Sequence, residues 1–262
     1  MNKTARQDVI LDRVMREGGV SVDALAGDLG VSVMTIRRDL SELAYAGRLS
    51  RRHGGAIPAR GGIAEFAFRE RSERHAAGKH AIAQAVAAMV QPGMAIGLDT
   101  GTTTLEVARA LTTKTGITVL TTSLAVASVL HVVEGIEVML LGGNVRKNSP
   151  DLTGPLAERN IRQFRMHLVV LGADAVKQDG VYTTDVRIAG MTRAFTENAN
   201  RVVLVVDSSK FGATAFVQCL ELGEVHCVVT DDGCPESVRS WLGRRVGEVI
   251  YAPVSGVAGV RT

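Results

Sequence analysis

Six arginines fall within residues 33–60 (Arg37, Arg38, Arg48, Arg51, Arg52 and Arg60), and only Asp39 and Glu42 oppose them. No lysine is among them. A guanidinium is a planar fork of donors that matches phosphate oxygens and the guanine edge. Charge alone would still fit an ordinary solvated face. A second run able to do chemistry is Asp99-Thr100-Gly101-Thr102-Thr103-Thr104, placed between a short apolar stretch and a helical pattern. Glycine there permits close approach of backbone to a ligand, and a helix N-terminus offers free N–H groups and a positive dipole. Threonine hydroxyls add donors. The combination suits a phosphate, but it lacks a P-loop lysine, so a nucleoside triphosphate fits poorly. Read alone, the loop fits a capped turn without ligand equally well.

The elements around the arginines sharpen their meaning. Ile10, Leu11 and Val14 mark one stripe of a helix that stops at Gly18-Gly19. Ser21 is an N-cap for a short helix with Leu25, Ala26 and Leu29 inward, ended by Gly30. Ser32 caps a third helix in which Ile36, Leu40 and Leu43 face the first two, and Gly47 ends it. That orientation points Arg38 and Ser41 outward, with Thr35 and Arg37 on the flanks. Arg48 to Gly55 reads as a short basic hairpin. Two short helices joined by a glycine-containing turn, followed by such a hairpin, form a helix-turn-helix with a wing. The second helix of the pair enters the major groove and the wing lies along the phosphates.

Leu29-Gly-Val-Ser-Val-Met-Thr-Ile-Arg-Arg-Asp-Leu40 and Arg52-His-Gly-Gly-Ala56 resemble the winged helix-turn-helix of the DeoR family of bacterial transcriptional regulators. The expected DNA contacts are Ser32, Thr35, Arg37 and Arg38 on the helix and Arg51, Arg52 and His53 on the wing.

Residues 58–78 change character, with Pro58, Gly61 and Gly62 before a mixed-charge stretch. They read as a linker, helical only towards its end, with Phe66 and Phe68 docked on one of the domains. Beyond Lys79 the pattern alternates. Strands are expected at 94–98, 117–120, 137–141, 166–171 and 202–206, with 225–230 closing the series. Helices are expected around Ile82–Met89, Leu105–Leu111, Leu124–Val133, Pro155–Gln163 and Met191–Ala199. The remainder is less regular, with one helix around Trp241 and one strand at Val249–Tyr251. Apolar strands without period-2 alternation fit a sheet covered on both faces, and the alternation with helices implies a doubly wound α/β domain. The expected division is 1–57 for DNA binding, 58–78 as linker and 79–262 for effector binding and oligomerisation.

Ligands in such folds sit at the carboxyl ends of the strands. Those ends are Asp99–Thr104, Thr121-Thr122-Ser123, Gly142-Gly143-Asn144, Gly172-Ala173-Asp174 and Asp207–Gly212, which carries Lys210. Five small or hydroxylated ends on one rim would suit a small, polyhydroxylated, phosphorylated molecule. The DeoR resemblance extends here through Asp99–Thr104, Thr121–Ser123, Leu141-Gly-Gly143 and Asp207-x-Ser-Lys-Phe-Gly212. It implies an effector domain related in fold to sugar-phosphate isomerases, and release of DNA when a phosphorylated sugar or related metabolite binds. The effector residues expected from the rim and the resemblance together are Asp99, Thr100, Gly101, Thr102, Thr103, Thr104, Thr122, Ser123, Gly142, Gly143, Asp174 and Lys210. This chain has Thr122 where family members often carry Asn, and Thr192-Arg193 where a Lys-Arg pair is common.

Catalysis is not expected. Gly172-Ala173-Asp174 is similar to part of the acidic motif of ribose-phosphate isomerases, but Leu171 stands where those enzymes place a further acid. An architectural DNA-binding protein with a vestigial pocket is the other alternative. Cys219, Cys227 and Cys234 lack C-x-x-C spacing and read as buried thiols; neither metal nor cofactor is expected. The 262 residues are 46% hydrophobic and 22% charged, ordinary values for a globular protein. Aromatics at 4% argue against a single-stranded nucleic-acid binder. The longest apolar runs are a handful of residues, whereas a membrane span needs about 20. The expected partners are duplex operator DNA, a phosphorylated effector and further copies of the chain, in the cytoplasm.

Overall fold

The computed structural model describes residues 1–46, 48–59, 62–147 and 149–254, with the backbone alone over 62–67. Gly47, Arg60, Gly61 and the Phe66 side chain lie outside the described residues. Two compact units emerge, one built on Met1–Arg71 and the other on Ser72–Arg146 and Pro150–Thr262.

The first unit opens with helix α1 (Lys3–Glu17), capped by Asn2 and closed by Gly18 in the left-handed region at φ 73°. Strand β1 (Val20–Ser21) leads into α2 (Val22–Leu29), whose first turn is capped by Ser21 Oγ. Helix α3 (Val33–Tyr45) follows, then strands β2 (Leu49–Arg52) and β3 (Gly55–Pro58). The expected hairpin is thus present, and β1 adds to it in the order β1-β3-β2. Gly55 is required there, because a Cβ would lie 2.0 Å from the Val20 carbonyl oxygen. Ile10, Leu11, Val14, Leu25, Ile36, Leu40 and Leu43 form one buried cluster, while Leu29 is only partly covered. Each such side chain contributes about 1.5–3 kcal/mol on burial.

Residues 62–73 correct the expectation of a linker helical only near its end. They form α4 (Gly62–Glu73), because Ala, Glu and Arg in that stretch are good helix formers.

The second unit begins with α5 (Ala76–Met89). Alternating elements follow: β4 (Ala95–Leu98), α6 (Thr102–Leu111), β5 (Ile117–Thr121), α7 (Leu124–Leu130) and β6 (Ile136–Leu140). A two-stranded hairpin, β7 (Asn144–Val145) and β8 (Leu152–Thr153), precedes α8 (Pro155–Ile161) and β9 (Leu168–Leu171). Then come β10 (Ala175–Lys177), β11 (Gly180–Thr183), α9 (Val186–Glu197) and β12 (Val202–Val205). The unit ends with β13 (Val217–Leu220), β14 (Cys227–Asp231), α10 (Glu236–Arg245) and β15 (Glu248–Ala252).

Seven strands form one sheet in the order β15-β14-β12-β9-β4-β5-β6, and every neighbouring pair is parallel. The expected doubly wound architecture is therefore the one observed. Three details differ from expectation. The segment 225–230 does not close the series, because β15 pairs with β14 as a seventh strand. Strands β10, β11 and β13 form a separate antiparallel sheet; they are short, and their mixed composition carries little period. Helix α9 starts at Val186 rather than Met191, since the Asp185 carboxylate accepts from Arg187 N and caps it. The central strands β9 and β12 are buried throughout, but edge strand β6 is half open to solvent.

Candidate functional site

Helix α3 presents two unlike faces. Ile36, Asp39, Leu40 and Leu43 are buried against the rest of the unit, whereas Met34, Arg37, Arg38 and Ser41 are exposed. Ser32 Oγ accepts the amide of Thr35 at 3.1 Å, and the two hydroxyls lie 2.9 Å apart. Two expected DNA contacts thus also build the helix start. Asp39, a charged residue on the inner face, is held by Arg6 Nε at 2.6 Å and by Gln7 Nε2 at 3.3 Å. That ion pair locks α1 to α3, which the apolar period did not reveal. Glu42 takes Lys3 Nζ at 2.7 Å and Gln7 Nε2 at 2.9 Å, and these hold its carboxyl below the usual range. Arg38 is only loosely paired with it, at 3.6 Å.

The wing arginines divide. Arg51 Nη1 donates to Ser41 Oγ at 2.6 Å, so its guanidinium is fastened to α3. Arg52 and His53 are exposed at the hairpin tip, and their side chains have no hydrogen bond or ion pair among the described residues.

The second unit places its polar strand ends on one rim, since all seven strands are parallel. Strands β4 and β9 are neighbours at its centre, and the chain leaves them towards opposite edges, β4 to β5 and β9 to β12. That is the switch point where doubly wound sheets open a ligand crevice. The loop after β4 lies there, against the loop after β9: a Cβ on Gly172 would sit 3.5 Å from the Thr100 carbonyl oxygen. Gly101 has φ 135° and ψ 168°, a conformation reserved for glycine, and it starts α6 without a side-chain cap. The first-turn amides of α6 are therefore left for an outside acceptor. Thr103 and Thr104 are buried beneath them, with Thr104 Oγ1 donating to the Gly101 carbonyl at 2.9 Å.

Asp99 is buried at the foot of this loop, 1% exposed, with one carboxylate oxygen accepting the Thr100 amide at 2.7 Å. Burial pushes its carboxyl up to about 7; the nearby Asp151 and Asp174 push the same way, and the Thr100 amide and Arg146 oppose them. Thr100 Oγ1 donates to Asp151 Oδ2 at 2.6 Å. Arg146 grips both Asp151 oxygens, at 2.5 and 2.6 Å, and reaches Asp185 at 3.2 Å. Arg187 and Arg146 together hold Asp185 far below the usual carboxylate range. None of Arg146, Asp151, Asp185 or Arg187 was singled out from the sequence. Their one signal was an arginine and an aspartate five residues apart in an otherwise polar turn.

Other expected effector residues are committed to the scaffold. Ser123 caps α7, and Thr122 is buried with its carbonyl accepting Leu152 N at 2.8 Å. Gly142 and Gly143 have φ of 71° and 124°, and a Cβ on Gly143 would meet Ala157 and the Thr153 carbonyl at 2.9 Å. Asp174 Oδ2 accepts from Thr183 Oγ1 at 3.1 Å and from both Thr184 N and Oγ1 at 2.8 Å. Lys210 follows β12, two strands from β4, half-buried and without an ion pair among the described residues. Cys219, Cys227 and Cys234 are buried, and burial pushes their thiols up to about 12, 11 and 11.

Comparison with known proteins agrees with this division. Residues 6–59 match a DeoR-like helix-turn-helix domain, and residues 74–232 match the DeoR C terminal sensor domain. The glycerol-3-phosphate regulon repressor of Escherichia coli K12 is 35% identical over 243 residues, covering 92% of this chain and 96% of that protein. The putative aga operon transcriptional repressor of Escherichia coli O157:H7 is 32% identical over 248 residues, covering 94% and 92%. Among solved structures, ribose 5-phosphate isomerase A of Methanocaldococcus jannaschii aligns with a TM-score of 0.37 and 19% identity, covering 51% of this chain and 53% of that one. With a winged helix-turn-helix in one unit, a sensor domain in the other and relatives matched along nearly their whole length, the chain belongs to the DeoR family of transcriptional regulators.

Proposed function

We propose that the protein is a repressor of carbohydrate-use genes whose affinity for operator DNA is set by a small phosphorylated sugar or polyol. The effector's phosphate sits on the first turn of α6, over Gly101, Thr102 and Thr103. The observation that carries this reading is the uncapped helix start at the switch point, where Gly101 takes a glycine-only conformation. Asp99, buried and close to half-protonated at neutral pH, can donate to or accept from an effector hydroxyl. Lys210 supplies a cation on the same rim. The names of the two repressors described above support a carbohydrate-linked role.

On the DNA side, Arg37, Arg38 and Thr35 contact bases and phosphates, and Arg52 and His53 hold the backbone. Paired helix-turn-helix units read half-sites one helical turn or multiples apart, and the proposed working species is accordingly a homo-oligomer, placed in the cytoplasm with its DNA. The protein is not proposed as an enzyme: the one carboxylate of its isomerase-like motif, Asp174, is engaged by Thr183 and Thr184.

A thermal-shift panel of sugar and polyol phosphates beside their unphosphorylated parents tests the reading. A true effector at 100 times its Kd stabilises by about 2.7 kcal/mol. At least one phosphorylated compound should do so while its parent does not. Equal shifts from both members of every pair would remove the phosphate from the site.

A further inference from the structure

The outward stripe of α3 is not wholly polar. Counting 100° per residue from the buried Ile36, the positions opposite the core are Met34, Arg38, Ser41 and, at the far end of the helix, Tyr45. Ser41 is already occupied by Arg51. Towards the start of the helix that stripe exposes a thioether and, one turn on, the guanidinium of Arg38, which is only loosely paired with Glu42 at 3.6 Å. Met34 is 69% exposed, and Val33 beside it is 36% exposed. Both lie in the first turn of α3, which Ser32 fixes by its hydrogen bond to Thr35 N.

In a helix-turn-helix the first turn of the second helix is the part that meets base edges. Each base pair presents its own pattern there, and the 5-methyl group of thymine is the apolar feature of the major groove. A methionine has no hydrogen to donate and only a weakly accepting sulfur, so it gains little from phosphates or from polar base edges. It is flexible and polarisable, and fits a methyl group well. Arg37 and Arg38 on the same helix, with Arg52 on the wing, supply the charge that brings the unit to DNA.

We propose that Met34, flanked by Val33, reads thymine 5-methyl groups in the operator, next to the bases or phosphates met by Arg37 and Arg38. Sequence preference then has an apolar component within a basic surface. Burying one methyl contributes about a four-fold gain in affinity.

The test uses the full-length protein. The tightest duplex is first selected from a random pool, and each thymine in it is then replaced singly by deoxyuridine. That exchange removes one methyl group and keeps the base pair. Kd is read by fluorescence anisotropy for the wild type and for Met34→Ala, with a melting curve as folding control; Met34 is solvent-exposed, so the variant should fold. At one or two thymines per half-site, deoxyuridine should weaken wild-type binding about four-fold. Met34→Ala should weaken binding to the thymine duplex by a similar factor and bind both duplexes equally.

Wild-type indifference to every deoxyuridine would overturn the methyl contact while leaving DNA binding intact. A Met34→Ala protein that still discriminates thymine from uracil would assign the methyl to another residue. Failure of the wild type to select any duplex would overturn DNA reading itself.

Discussion

Thr100, in the loop over the sheet's switch point, donates its hydroxyl at 2.6 Å to Asp151 Oδ2, the oxygen that also takes Arg146 Nη2. The loop proposed to hold the effector's phosphate is thereby tied to the β7–β8 hairpin through a single carboxylate. Asp151 has no solvent exposure, and Arg146, bound to both its oxygens, compensates its buried charge. Arg146→Met keeps most of the volume and removes the charge. It should destabilise the sensor unit by about 3–5 kcal/mol, measured by urea denaturation. Thr100→Val loses one hydrogen bond to a charged group and should cost about 1.5–3 kcal/mol. An Arg146→Met protein as stable as wild type would mean that Asp151 is protonated or hydrated.

Asp99 makes stability depend on pH in an uncommon direction. Its carboxyl titrates near 7 in the folded protein against an ordinary value of 3.8. Between those values the folded state binds more protons than the unfolded one, so this group's contribution falls as pH rises from about 4 to 7 and is flat above. The slope approaches 1.4 kcal/mol per pH unit for one proton. Asp99→Asn should show a flatter decline of Tm across that window than wild type. Parallel Tm–pH curves for the two proteins would return the Asp99 pKa to the ordinary carboxylate range.

The wing arginines should separate experimentally. Arg52 is exposed and unpaired, so Arg52→Ala should flatten the slope of log K against log salt by about 0.9 for a lost phosphate contact. Arg51 is fastened to Ser41, and Arg51→Ala should weaken binding with little change in that slope, because it frees the wing from α3 without removing a phosphate contact. Equal slope changes in the two variants would make Arg51 a backbone contact that leaves Ser41 on binding.

Gly101→Val places a branched side chain at φ 135°, where only glycine is unstrained, and covers the amides of α6. Effector-induced thermal shift should be lost, and operator affinity without effector should stay near wild type. Circular dichroism separates this from a misfolded loop. A folded Gly101→Val protein that responds at wild-type effector concentrations would move the phosphate elsewhere on the rim.

Much of the architecture was legible in one dimension. The stripes of Ile10–Val14 and Ile36–Leu43, the caps at Ser21 and Ser32, and the break at Gly30 specify the helix-turn-helix, because helix period and capping are local properties. The apolar runs at 95–98, 168–171 and 202–205 likewise specified parallel strands, and with them a rim on which their polar ends gather. The short strands β10, β11 and β13 were not legible: β10 and β11 form a small hairpin of mixed composition, and β13 joins it only through pairing with β11 across a distant stretch of chain.

Tertiary structure alone decided which polar side chains remain free. Asp39 is matched by Arg6, thirty-three positions away, and Thr100 by Asp151, fifty-one positions away. Arg51 and Asp174, whose residue types equally suit DNA and effector, are engaged within the protein by Ser41 and by Thr183 and Thr184. A hydrogen bond forms only when two groups come within about 3 Å in the right orientation. Periodicity assigns a side chain to a face, but packing between faces sets that distance. The residue types able to bind DNA and phosphate were therefore readable from the sequence, whereas which of them are free to do so depended on the fold.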